Sequence, residues 1–301
     1  MMATLARRSA VLALALLTAL VPQEPDDAPR EGSPEEIGRL ILAWEGAKLT
    51  DDSAAILRTV REMRPFKNDD LLVVVRHGVE HEGTRTDRNR ILAGLDPAER
   101  EDEDLVDTLV TKLAAQVVAA SADIGARMGT RDSLAALEKG LRAKSTRDNP
   151  YAFAALVEAL SRHPVESTKV TKEVTKHLLE FDDAKFELPG HALVDDRLGT
   201  PRADGYRECA HYFERRGTKE RDVYVALAEA LHDEDREGVT AKKEKRGDAY
   251  RIGREAAASV LAPTASAALL ALTGRTFETS AEGRSEALTW IADNAKSLGL
   301  R

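Results

Sequence analysis

From Ser33 onward, apolar residues recur at spacings of three and four, and Gly, Pro or Asp interrupts the run every dozen or so residues. A helix of 3.6 residues per turn gathers such positions onto one face. The chain therefore reads as a succession of short amphipathic helices, each with a face to bury on another helix. No series of alternating strand patterns competes with this reading. The one run suited to a strand is Leu71 to Val75, where three valines stand together. With 32% charged and only 4% aromatic residues, and with Ala, Leu, Glu, Lys and Arg abundant, composition favours helices that approach closely. The expected fold class is all-α.

Local signals place the helices. Ser33, then Pro34, Glu35 and Glu36, is an N-cap followed by a first-turn proline and acids at the positive end of the dipole. Further helices are expected at about 51–63, 104–121, 132–143, 150–162, 168–181, 205–215, 219–232, 247–261 and 281–297.

The first thirty residues follow another rule. Arg7 and Arg8 precede an unbroken apolar run from Ala10 to Val21, and then come Pro22 and acids. That layout predicts a secretory signal over 1–23, followed by a disordered linker over 24–33. The run is about half of the ~20 residues needed for a membrane-spanning helix, and no other segment approaches that length. Export to the periplasm, the cell surface or the medium is the expected localisation, with no membrane contact after the signal is lost. A lone Cys209 cannot close an internal disulfide, so it is expected to be a buried small apolar residue. The formal charge is -8, and losing Arg7 and Arg8 makes it -10, which argues against a nucleic-acid partner.

Two pairs of phrases look alike. RHGVEH begins at Arg76 and RHPVES at Arg162, 86 residues on. ARMGTRDSLAALEKGL begins at Ala126 and ERRGTKERDVYVALAEAL at Glu214, with Gly129 and Gly217 88 residues apart. Both offsets are about twice 43 or 44, a length typical of helix-pair repeats. In the later phrase a helix stops at Gly217, and the next carries Val223, Leu227 and Leu231 on one stripe. The stretch from Ala122 fits the same plan, with Ile124, Leu134, Leu137 and Leu141 apolar.

These units resemble HEAT and armadillo repeats. The resemblance covers 35–275 and implies an α-solenoid of about six stacked antiparallel helix pairs over 34–275. A C-terminal capping helix around Trp290 would follow over 276–301, with a polar outer face because no repeat comes after it. The function it implies is a non-catalytic exported scaffold that binds a protein or peptide.

Residues 71–85 carry two competing chemical readings. LLVVVRHG resembles the strand-then-Arg-His-Gly signature of histidine phosphatases, in which His77 would be the nucleophile and Arg76 would hold phosphate. Its second histidine would be His191, in a context that lacks the expected small residues. His77-Gly78-Val79-Glu80-His81 also has the H-x-x-E-H order of inverzincin metalloproteases, with Glu158 as a third ligand. An enzyme centred on His77 is the alternative to a scaffold. The later copy argues for packing instead: Arg162-His163-Pro164-Val165-Glu166-Ser167 has Pro in place of Gly78 and Ser in place of His81. The chemical pattern fails there while the packing pattern survives. The motif is expected to close a helix and enter a loop.

No catalytic, cofactor-binding or metal-ligating residue is assigned. The basic run over 241–254 reads as a solvated loop or an anion-binding stretch. Asp182, Asp183, Asp195 and Asp196 lack the alternating oxygen ligands of a calcium loop. Scattered Ser, His and Asp residues form no triad by order.

Overall fold

A computed structural model describes residues 28–179, 201–232 and 261–301. Among them every regular element is helical, and the one extended pairing is an isolated bridge between Arg30 and Phe66. The chain divides into two compact units. One runs up to Ala152 and takes in His163–Val165; the other is Phe153–Arg162 with the chain from Glu166 onward.

The first unit contains α1 (Pro34–Lys48), α2 (Ser53–Met63), α3 (Leu72–Gly78), α4 (Arg85–Gly94), α5 (Glu103–Met128) and α6 (Arg131–Arg142). As the sequence predicts, Ser33 caps α1 by accepting from the Glu36 amide, with Pro34 in the first turn. Just before it, within the expected linker, Arg30 and Gly32 are hydrogen-bonded to the loop at 65–68. The Asn68 side chain both accepts from the Gly32 amide at 2.8 Å and donates to its carbonyl at 3.0 Å.

The hub of this unit is α5, which packs against α2, α3, α4 and α6. Its 26 residues exceed the predicted 104–121, because nothing from Ala119 to Asp123 breaks a helix and burial continues to Met128. The ADIGARM phrase is thus the end of one long helix rather than a separate helix of its own. By length and apolarity α5 matches a bilayer-spanning segment, contrary to the expectation that none besides 10–21 approaches one. Over half of that apolar window lies inside the protein, as in the core helix of a helical unit. Two devices tie α5 to its neighbours. Ile91, Leu95, Val106 and Leu109 form an apolar cluster between α4 and the start of α5. Farther along, buried Asp123 accepts from Arg64 Nε at 2.8 Å and Arg127 Nε at 3.1 Å.

Leu71 to Val75 is not a strand. It is a 3-10 turn (Asp69–Leu71) running into α3, with Leu71, Val74 and Val75 buried. The β-branched preference for a strand is weak, and packing against α5 and α6 overrides it. The sequence missed α4 because its mean character is polar; Thr84 and Asp87 start it with a capping box. The expected glycine turn is present. The backbone of Gly129 is left-handed (φ 64), closing α5, and Thr130 caps α6 at once.

The second unit contains α7 (Pro150–Arg162, from Phe153), α8 (Thr168–Leu179), α9 (Pro201–Arg216), α10 (Arg221–Glu229), α11 (Leu261–Thr273) and α12 (Ala281–Leu298). Gly217 (φ 69) ends α9, and Val223, Leu227 and Leu231 are buried, as the stripe predicts. α8 packs on α9 and α10, and α10 packs on α12. Two arginines at the end of α9 hold α7: Arg215 donates to Ser161 Oγ at 2.6 Å and Arg216 to the Leu160 carbonyl at 3.1 Å. Cys209 is buried, and that burial pushes its thiol pKa far up. Trp290 meets Phe277 with ring centroids 5.9 Å apart, while α12 buries Gly283, Ala287 and Ile291. The signal at 1–23, His191, the four aspartates, the basic run 241–254 and the helix expected from 247 lie outside the described residues.

Candidate functional site

The phrase at 76–81 sits where α3 meets α5 and α6, and each residue is placed by that junction. Gly78 makes the close approach possible. A Cβ there would stand 1.9 Å from Ser121 Oγ and 2.5 Å from Ser121 Cβ on α5. Val79 is fully buried, and α6 answers it with Gly140, where a Cβ would lie 2.8 Å from Val79 Cβ. Glu80 pairs with Lys139 of α6 at 2.6 Å. The Gly-Val step is therefore a packing step between three helices.

His77 lies in the last turn of α3, on the exposed side. Its ring stands 5.6 Å from that of buried Trp44, which also carries Lys48 Nζ 4.4 Å from its centroid. Partial burial, then the Lys48 charge, lowers the His77 pKa, and Glu80 partly opposes them. Neither a second histidine nor a phosphate-holding arginine is placed beside it by any contact among the described residues. His81 lies beyond the end of α3, so the shared helix face that the H-x-x-E-H order requires does not form.

His81 serves another structure. Ser53, in the first turn of α2, donates its hydroxyl to Asp87 Oδ2 at 2.5 Å and accepts from His81 Nε2 at 2.6 Å. The Ser53 amide donates to Asp87 Oδ1 at 2.8 Å, and the Thr84 amide to Oδ2 at 2.9 Å. Ser53 and Asp87 are wholly buried. Serine, histidine and aspartate thus meet, but with the serine in the middle, already donating to the carboxylate and closed to solvent. A nucleophilic triad needs the histidine between the other two and an accessible hydroxyl. This arrangement instead fixes the start of α2 to the start of α4.

The later copy is built from the same parts differently. His163 is wholly buried; its Nδ1 accepts from the Val165 amide at 3.1 Å and its Nε2 donates to Ser133 Oγ at 3.1 Å, in the first turn of α6. Pro164 packs over Gly129, whose hypothetical Cβ would be 2.7 Å from Pro164 Cγ. In surroundings, His163 corresponds to His81, since both dock on a serine that opens a helix. It does not correspond to His77, its partner in the alignment. Sequence reasoning missed the Ser53–His81–Asp87 group; Asp52-Ser53 and Thr84-x-x-Asp87, both N-terminal capping signatures, were the signals that could have found it.

Burial lowers the His81 pKa, while the Asp87, Asp51 and Glu82 charges pull it back up. The unfolded chain, with an ordinary value near 6.5, therefore binds a proton first as pH falls. The stabilising contribution is complete above 6.5 and is lost on acidification. Thermal unfolding should occur at lower temperature at pH 5 than at pH 7. His81→Gln retains an N–H donor without the titration, so the variant should show a smaller pH slope. An unchanged slope would place the acid sensitivity elsewhere.

These features define a class: among the described residues every regular element is helical, and the junctions that carry His81 and His163 are built from helix crossings and helix caps. Comparison with protein-family models, with curated proteins and with solved structures finds no match for this chain.

Proposed function

We propose that this chain is an exported helical-repeat scaffold, a HEAT-like solenoid that presents a helical surface to a protein or peptide. The observation that carries the reading is the use made of 76–87: Gly78 and Val79 are spent on helix crossings, and Ser53, His81 and Asp87 on capping. The glycine turns at Gly129 and Gly217, each joining two helices, support the repeat reading. Export rests on Arg7, Arg8 and the apolar run to Val21.

The test is direct. Purified protein should contain no stoichiometric zinc and should not hydrolyse a generic phosphate ester, and His77→Ala should leave both measurements unchanged. Zinc bound one to one and lost in His77→Ala would overturn the scaffold in favour of the enzyme reading. For export, the N-terminus of the exported form should begin between Val21 and Glu24. An intact Met1 on cell-surface material would indicate a retained anchor.

A further inference from the structure

We infer that the loop at 65–68 is a recognition site for an extended peptide bearing Arg, an acid and Gly in succession, and that this chain's own residues 30–32 occupy it in cis. The inference deepens the scaffold reading by giving it a ligand class. The Arg30 amide donates to the Pro65 carbonyl at 2.9 Å, and the Lys67 amide donates to the Arg30 carbonyl at 3.1 Å, which makes the isolated parallel bridge to Phe66. Asn68 then pairs with Gly32, accepting from its amide and donating to its carbonyl. The Asn68 side chain has no other hydrogen bond among the described residues. This is the pattern of strand addition, in which main-chain bonds hold an extended peptide and side-chain positions select one.

Selection operates at all three positions. The Arg30 guanidinium lies over the Phe66 ring, with Cζ 4.4 Å from the centroid, and its Nη2 is 3.5 Å from Glu36 Oε1. Glu31 Oε1 is 3.8 Å from Lys67 Nζ. At the third position only glycine fits, because a Cβ on Gly32 would stand 2.8 Å from Ile37 Cδ1 and 2.9 Å from Phe66 Cδ1.

The occupant is held by these contacts and by little else. None of residues 28–32 is buried, and Arg30 and Glu31 are exposed, whereas Phe66 beneath them is 3% exposed. A segment fixed at the surface by hydrogen bonds opens at far lower cost than a core helix. Opening leaves the site built, because Glu36 belongs to α1 and Phe66, Lys67 and Asn68 to the turn after α2. A second copy cannot supply the ligand. Its Gly32 leads at once into Ser33 and Pro34, the cap and first turn of its own α1, where the receiving chain's α1 already stands. The ligand is therefore a segment of a different protein, one that ends or turns away at its glycine.

The test uses the full chain with Arg30→Asp and Gly32→Val, which removes both the ring contact and the fit at the third position. Far-ultraviolet dichroism should be unchanged, because neither residue is helical or buried. The probe is a labelled peptide of residues 28–32 with an amidated end, followed by fluorescence anisotropy. The opened chain should bind it with a dissociation constant of about 0.1–1 mM. The parent should bind at least about tenfold more weakly, since its own segment competes at an effective concentration of about 1 mM or more. Asn68→Ala in the opened chain should weaken binding at least about tenfold, and peptides with Ala for the arginine or Val for the glycine should bind about fivefold more weakly or worse. Amide exchange at Lys67 reports the site itself: protected in the parent, unprotected in the opened chain, and protected again with peptide. A Lys67 amide that stays protected in the opened chain overturns the inference, as does a folded, opened chain that binds no peptide. Equal binding by the parent, or by the altered peptides, overturns it too. Such failures leave the scaffold reading to the zinc and phosphate-ester measurements, which do not involve this loop.

Discussion

Gly78→Ala is expected to destabilise the first unit by about 2–3 kcal/mol, and Ser121→Gly in the same chain is expected to recover most of that loss. The added methyl would sit 1.9 Å from Ser121 Oγ and 2.5 Å from its Cβ, inside any permitted contact. Rotating the serine cannot relieve a clash with its Cβ. Either α3 must move off α5, or the helices must bend. Both loosen Val74, Val75 and Val79, which are fully buried at the same crossing. With Ser121 reduced to glycine, the nearest remaining atom is its Cα at 3.9 Å, an ordinary distance. The exchange also costs little in helix propensity, because one glycine leaves α3 as another enters α5.

A third variant separates volume from polarity. Ser121 Oγ is buried without a hydrogen-bond partner, so Ser121→Ala removes an unsatisfied hydroxyl and should be neutral or slightly stabilising. It should rescue Gly78→Ala only partly, since its Cβ remains. Urea unfolding of the parent, Gly78→Ala, Ser121→Gly and the double variant that combines them supplies the cycle. If the double variant is as unstable as Gly78→Ala alone, α3 and α5 do not cross at these two residues.

What was legible in the sequence divides along physical lines. Helix existence was legible wherever an apolar stripe ran three turns or more, as in α6, where Leu134, Leu137 and Leu141 are all buried. The glycine turn at 129 and the cap at Ser33 were legible because one residue type solves a local backbone problem. α3 was not, because its seven residues are too few for a period to show and its valines prefer strands in isolation; its helix is imposed by α5 and α6. The length of α5 was misread for the opposite reason: from Leu113 to Met128 only Gln116, Ala119 and Arg127 are even partly exposed, so no polar face marks where the helix ends. The junction at 76–87 was legible only as a repeat of letters. Aligning His77 with His163 matched residue types, whereas the fold matches His163 with His81 by the serine each one reaches. Such pairing depends on which helix start lies opposite, and that is tertiary information.

The same junction supports the second large effect. Asp87→Ala should cost about 3 kcal/mol or more, and Asp87→Asn nearly as much, at about 2 kcal/mol or more. The Asp87 carboxylate accepts three hydrogen bonds in a site closed to water: two from Ser53 and one from the Thr84 amide. Alanine leaves two buried amide donors and a hydroxyl unmatched, each costing about 1–3 kcal/mol before relaxation. Asparagine fills the volume but carries a single acceptor oxygen. Turned toward Thr84, it aims its amide hydrogens at the Ser53 N–H; turned the other way, it aims them at the Thr84 N–H. The Ser53 hydroxyl could reverse to accept from the new amide, yet that same oxygen already accepts from His81. One donor therefore faces another in either orientation. Ser53→Ala, which removes one donor and keeps the carboxylate held by two amides, should cost less than either, at about 1–2 kcal/mol. Amide exchange adds a local readout: Ser53 and Thr84 should lose protection in both Asp87 variants. An asparagine variant within about 0.5 kcal/mol of the parent would mean that the three donors do not converge on that carboxylate, and that the start of α2 is held by packing alone.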